Sequence, residues 1–272
     1  MPNLRELMVV YGFSMSVPWL SRVREPYRLR DRETTVNKKK NRVLIVGGGS
    51  GIARALVREL LARGDEVIVG GRRPETLGDD AGEAGDRLRS VRIDLADEAS
   101  IAAAANLGPL DFVVSFAAAH ANGPIHQLKR DAIVTAFDAK VIGPILLAKH
   151  LAPSIRPGGG FLLFSGVAAW KPSAGLAVMA TTNGAVSFLV EALAVELAPV
   201  RAVAISPGII DSGAWDTLGE QEKSKMFSET AADNPARRIG SVNDIVSAVR
   251  FAMDNTFVTG TTLHVDGGGR LA

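Results

Sequence analysis

The sequence predicts an α/β fold, a single doubly wound domain built on a seven-stranded parallel sheet. Three observations point there. Short apolar, β-branched runs alternate with helical segments, the pattern of right-handed βαβ crossovers. The runs are continuously apolar, as strands covered on both faces require. A glycine-rich turn joins the first run to the first helix, where the backbone has to reverse tightly.

The elements follow in order. "RVLIV" at 42–46 is the first strand. In the helix after it, Ile52, Leu56, Leu60 and Ala53, Val57, Leu61 fall at i, i+4, i+8 and make one broad apolar face. "EVIVGGRR" is the second strand and "LRSVRIDLAD" the third, ending in an acidic turn. A helix over 97–106 precedes the strand "DFVVSFAAA". The spacing then predicts one long helix over about 130–155, leading through "RPGGG" into the strand "FLLFSG". Another long helix covers about 174–198, and "RAVAIS" and "TTLHVDGG" are the last two strands. Segment 207–236 interrupts this rhythm and is long for a connection, the mark of a lid or binding loop. Its Trp215, Leu218, Met226 and Phe227 point to an apolar ligand.

Composition narrows the function classes. Of 272 residues, 47% are hydrophobic, enough for a large core, and none is cysteine. Disulfides, thiolate metal sites and a cysteine nucleophile are therefore excluded, and no metal site is expected. The net charge of +2 hides an asymmetry: residues 1–42 carry ten Lys or Arg against four acids, leaving the remainder at −4. Residues 1–40 read as a basic, flexible extension and 41–272 as the folded domain. The apolar stretch 7–20 is shorter than the roughly 20 residues a membrane span needs. It also lacks a small-residue cleavage site behind it. A cytoplasmic protein without membrane or nucleic-acid partners is expected, because the basic patch brings no stacking aromatics.

The glycine turn "VGGGSGIAR" sits between a strand and a helix. There, Gly47, Gly49, Ser50, Gly51 and Ile52 would let the backbone approach a pyrophosphate lying against the positive end of the helix dipole. That is the cofactor turn of a Rossmann domain. The second strand ends on Arg72 and Arg73, with no acidic residue to take a ribose 2′-hydroxyl. Two guanidiniums suit a 2′-phosphate through charge-assisted hydrogen bonds, so NADP(H) is favoured over NAD(H).

Five segments together, in order over residues 42–272, resemble the short-chain dehydrogenase/reductase family: "VGGGSGIA", "IDLAD", "SPGIIDS", "RRIGSVNDI" and "FVTGTTLHVDGG". The resemblance implies a nicotinamide-dependent oxidoreductase of a small carbonyl or alcohol. It places Asp94 and Leu95 beside the adenine and Ala117 in the turn after the fourth strand. It sets Pro207, Gly208, Ile210 and Ser212 along the nicotinamide. It also implies a catalytic Tyr, a Lys four residues on, a Ser near the fifth strand and an Asn on the long helix before it. This chain departs at all four positions. Met179 stands for the Tyr, Asn183 for the Lys, Gly166 for the Ser and Lys140 for the Asn.

The exchange at 140 and 183 is reciprocal, so a cation can persist near the nicotinamide from the other helix. The pattern resembles an atypical branch of the family lacking the Tyr and Lys. Candidate proton carriers are a desolvated Lys140, His120 at the end of the fourth strand, and Ser165 as a hydrogen-bonding partner of a substrate oxygen. A paired helix lysine, a plain loop histidine and a strand-end cap account for the same residues. Met179 can only shape an apolar wall. Three functions therefore stay open: an NADP(H)-dependent oxidoreductase with a rebuilt proton route, a nucleotide-binding scaffold or sensor, and a non-redox enzyme. The helix over 174–198 is apolar nearly all round, which suggests burial on two sides. With the family habit, that implies a homo-oligomer, a tetramer or a dimer.

Overall fold

In the computed structural model, which describes residues 40–47, 49, 51–73 and 85–272, the first apolar run forms strand β1 (Arg42–Val46). Helix α1 (Gly51–Ala62) leads to β2 (Glu66–Gly71) and then β3 (Leu88–Arg92). Helix α2 (Glu98–Ala103) precedes β4 (Leu110–Ser115). Next come α3 (Arg130–Phe137), α4 (Gly143–Leu151), β5 (Ile155–Phe164), α5 (Ala177–Glu196) and β6 (Arg201–Pro207). The last elements are β7 (Ile210–Asp211), α6 (Glu220–Asp233), β8 (Gly240–Ser241), α7 (Val242–Asp254) and β9 (Thr261–Val265). Residues 1–39 of the basic extension, and Ser50 of the glycine turn, lie outside the described residues.

Seven parallel strands pair in the order β3-β2-β1-β4-β5-β6-β9, as the alternation of strands and helices predicts. Alternation along β1 shows why the runs are wholly apolar. Val43 and Ile45 enter one buried layer with Leu56, Leu60 of α1 and Ile245, Val249 of α7. Leu44 and Val46 enter the other with Ile101, Leu147, Leu151, Val186 and Val190. Burying a Leu or Ile side chain stabilises by about 1.5–3 kcal/mol, and none of these four strand side chains is more than 2% exposed.

Several details differ from the sequence expectation, among them "RPGGG", which falls inside β5, and the fourth strand, which ends at Ser115. The single helix over 130–155 is instead α3 and α4 joined by a π-helical turn, Asp138–Ile142, and it ends at Leu151. Reading 130–155 with one helical period misses such a turn, whose i→i+5 bonding sets α4 out of phase with α3. The 207–236 excursion has structure of its own. β7 pairs with β8 in a separate two-stranded sheet, and α6 carries no buried residue.

Arg201, 6% exposed at the start of β6, ties the seven-stranded sheet to α7. Its guanidinium donates to the carbonyls of Gly158, Ala252, Met253, Asn255 and Val258. It also lies 5.5 Å from the centre of the Phe112 ring. Most of these carbonyls belong to the C-terminal end of α7 and the turn after it, where the helix dipole favours a cation.

By length and composition, α5 alone among the described helices could cross a membrane. Here Val178, Val186, Val190 and Leu193 are buried, with the last three in the same layer as the sheet, which is the role of a core helix.

Candidate active site

All strands of the main sheet run the same way, so the ends of β1, β2, β4, β5 and β6 meet at one edge. β1 and β4 are neighbours without being consecutive, which makes the crevice between them the switch point where such sheets bind ligands.

The glycine turn opens there. Gly47 has φ +85°, and a Cβ on it would sit 2.8 Å from the Ala117 nitrogen, so only glycine fits. A Cβ on Gly51 would come within 2.2 Å of the Ser212 carbonyl oxygen. The start of α1 and the segment after β6 are thus in direct contact, which brings together three of the segments expected to hold one nucleotide. The first turn of α1 contains no acidic residue to compete with a phosphate. Arg72 and Arg73 are exposed at the end of β2. Leu95 is buried, and Asp94 accepts a hydrogen bond from the Ala96 nitrogen at 3.1 Å in the turn after β3. Ile52 and Ser212 are half-buried, Gly49 is exposed and Ile210 is 5% exposed. The residues present fit a dinucleotide. Ser50 cannot be placed, as it lies outside the described residues.

The exchanged residues do meet. Lys140, in the π-helical turn, donates to Asn183 Oδ1 at 2.6 Å, to the Phe164 carbonyl at 2.7 Å and to the Ser165 carbonyl at 3.1 Å. An ammonium has three hydrogens, and all three are matched by acceptors. Burial pushes the Lys140 pKa down to about 8, while the three acceptors favour the charged form. Asn183 is 3% exposed and Ser165 5% exposed. The Ser165 hydroxyl donates to the Asn183 carbonyl at 2.8 Å and receives a bond from Ser187 at 3.3 Å.

Gly166 completes the cluster. A Cβ there would lie 2.8 Å from Asn183 Nδ2, so glycine at 166 is what lets the amide sit where it does. Lys140, Asn183 and Gly166 therefore form one interlocking cluster. The sequence offered the exchange of Lys and Asn as a clue; nothing in it linked Gly166 to either. His120 is exposed in the loop after β4 and shares no hydrogen bond with this cluster among the described residues. Met179 lies on the first turn of α5, and its carbonyl accepts from the Thr182 hydroxyl.

A cavity of about 390 Å³ adjoins the edge. Val167, Ala168, Leu176 and Ile209 give it apolar walls, and Glu229 and Asp233 of α6 stand at its border. The lid residues Trp215, Leu218, Met226 and Phe227 do not line it.

A family model described as Enoyl-(Acyl carrier protein) reductase matches residues 47–269. An L-xylulose reductase of Cavia porcellus is 30% identical over 236 residues, 84% of this chain and 95% of its own. The chain belongs to the short-chain dehydrogenase/reductase family. A short-chain dehydrogenase/reductase of Acremonium sp is 28% identical over 263 residues, covering 86% of this chain and 97% of that one. Among solved structures, a small-chain dehydrogenase in complex with NADPH superposes with a TM-score of 0.72 at 30% identity, over 86% of this chain and 100% of that one. Short-chain dehydrogenase/reductase architecture thus accounts for the parallel sheet and its ligand edge.

Proposed function

We propose that the protein is an NADP(H)-dependent oxidoreductase acting on a small, mainly apolar carbonyl compound or the matching alcohol, without a tyrosine acid. The observation that carries this reading is the cofactor edge, where the glycine turn touches both the turn after β4 and the Ser212 segment, with Arg72 exposed at the end of the neighbouring strand β2. The NADPH bound by the similar small-chain dehydrogenase supports the choice of cofactor. The reductase relatives support the direction of the reaction.

NADPH, when bound, supplies the hydride. The start of α1 would hold the pyrophosphate, and Arg72 would take the 2′-phosphate through charge-assisted hydrogen bonds. Asp94 and Leu95 would border the adenine, with Ala117, Pro207, Gly208, Ile210 and Ser212 along the rest of the nucleotide. His120, exposed in the loop after β4 at the same edge, gives the substrate oxygen its proton. Lys140 and Ser165 hold the end of β5 against α5.

A second reading has its own support. Every hydrogen of the Lys140 ammonium and the Ser165 hydroxyl is engaged inside the protein, which favours a nucleotide-binding sensor with little turnover. Fluorescence titration with NADPH and NADH, followed by a turnover screen over aldehydes, ketones and quinones, separates the two. NADPH oxidation with any carbonyl supports the enzyme; tight binding without oxidation supports the sensor; no binding of either nucleotide removes both.

Cofactor choice is checked by Arg72→Ser. The loss of one charged hydrogen bond to a phosphate, about 1.5–3 kcal/mol, should weaken NADPH binding by roughly 10- to 100-fold and leave NADH binding unchanged. Equal losses for both nucleotides would show that Arg72 does not read the 2′-phosphate.

We also propose a homo-oligomer formed through α4 and α5. Ile142, Ile145, Phe188 and Val195 are 44%, 44%, 71% and 82% exposed on these two helices and the turn before them, beside an open apolar groove. Phe188→Glu with Val195→Glu should leave a folded monomer, measured by light scattering after size-exclusion chromatography. An unchanged mass in solution would place the contact elsewhere.

A further inference from the structure

Two polar groups beneath α5 have no partner among the described residues, and they sit side by side on neighbouring strands. Ser206 is 0% exposed, and its buried Oγ meets no hydrogen-bonding group. The same holds for Nδ1 of His264, the buried nitrogen of a half-buried ring. Ser206 is the directly paired neighbour of His264 in the parallel ladder between β6 and β9. Directly paired side chains project from the same face of a sheet, on strands about 4.8 Å apart. That face is the α5 side. Ala202 and Ala204 of β6 enter the layer with Val186 and Val190, and Ser206 follows two residues on. The Trp170 ring, from the turn after β5, packs edge-on against His264 with 4.9 Å between centroids. A buried polar group left unpaired is costly, and native proteins satisfy such groups with protein partners or ordered water.

We propose that Ser206 Oγ and His264 Nδ1 bind one water molecule between them, and that this bridge is a pH-sensitive clamp on the ends of β6 and β9. A water can accept from a hydroxyl while it donates to a ring nitrogen. With His264 neutral, the Ser206 O–H donates to the water and the water donates to Nδ1. Charging the imidazole puts a hydrogen on Nδ1 and reverses the chain. Nδ1 then donates to the water, the water donates to Ser206 Oγ, and the Ser206 hydrogen loses its acceptor. The bridge therefore favours neutral His264. Burial and the nearby Arg270 also lower the His264 pKa, while Asp266 opposes them. Those two charged groups, both in the turn after β9, act on the ring; β6 and the turn after β5 bring the uncharged Ser206 and Trp170, and α5 and α7 bring no charge to it. Just beyond the bridge, the Gly208 nitrogen donates to the Val265 carbonyl at 3.1 Å, and a Cβ on Gly208 would lie 2.8 Å from Asp266 Cα. Gly208 and Asp266 both line the 390 Å³ cavity, so the clamp bears on a wall of the candidate active site from behind.

The water itself is tested by a crystal structure of the unmodified protein at pH 8, at a resolution that shows ordered solvent. One water within hydrogen-bond distance of both Ser206 Oγ and His264 Nδ1 is expected, and the lack of a bridging water overturns the proposal. In solution, Ser206→Ala separates a working hydroxyl from an idle one. Loss of the bridge should lower the melting temperature at pH 8 by about 2–4 °C. An unchanged or raised melting temperature would mean that the hydroxyl bonds nothing, and overturns the water site.

The clamp has a separate readout. A histidine whose pKa is lowered by folding contributes stability that is complete above the ordinary value of 6.5 and is lost as pH falls below it. NMR titration of the His264 ring follows that change directly. Its midpoint in Ser206→Ala should lie above the midpoint in the unmodified protein, because charging the ring no longer strands a serine hydrogen. Equal midpoints in the two proteins would show that the hydroxyl does not sense the charge on His264, and overturn the clamp.

Discussion

Asn183→Lys is expected to destabilise the fold by about 3–5 kcal/mol, and adding Lys140→Asn to restore most of that loss. Asn183 Oδ1 lies 2.6 Å from the Lys140 ammonium, in a space bounded by the Phe164 and Ser165 carbonyls. A lysine at 183 puts a second ammonium in that space, with a buried like charge and no carboxylate to offset it. Exchanging both residues returns one ammonium and one amide to the same site with their places reversed. Chemical denaturation of the two single variants and the double variant measures this as a double-mutant cycle. Simple additivity would show that the two side chains do not share a site. Gly166→Ser belongs in the same series, since its Cβ would press on Asn183 Nδ2.

Arg201→Met is expected to cost a similar amount, roughly 3–5 kcal/mol, for a different reason. Methionine conserves much of the stem but leaves the Gly158, Ala252, Met253, Asn255 and Val258 carbonyls without the donor that pairs them. Water cannot easily replace a guanidinium that is 6% exposed between the sheet and the end of α7. The melting temperature should drop by roughly 10 °C, measured by scanning calorimetry. A drop of only a degree or two would mean that the carbonyls are re-satisfied locally. Nucleotide affinity should be unaffected in the protein that remains folded, because Arg201 opens β6 and the ligand edge lies at the other end.

These two predictions rest on unequal amounts of sequence information. The order of strands and helices was legible, because each strand is short, continuously apolar and set off by a helix with its own period. The glycine turn was legible for the same reason, as its meaning depends only on a strand before it and a helix after it. Arg72 and Arg73 were found where the second strand ends. The single helix over 130–155 was wrong in detail, because a single helical period does not represent the π-helical turn at Asp138–Ile142. Arg201 showed nothing in the sequence beyond a charge at the start of an apolar strand. Its partners are carbonyls, which every residue type carries alike.

The sequence by itself therefore determined the doubly wound sheet, its glycine turn and the absence of any Tyr-x-x-x-Lys, all of which are local patterns of residue type. Only the tertiary structure decided how the side chains around Lys140 are joined. Lys140 and Asn183 are 43 residues apart, and their contact depends on two helices packing on the same face of β5. Which amide atom faces the ammonium, and why position 166 has to be glycine, follow from distances of a few ångströms across that packing. Spacing along a chain carries no record of such distances. The fold alone showed that Lys140 and Asn183 bind each other.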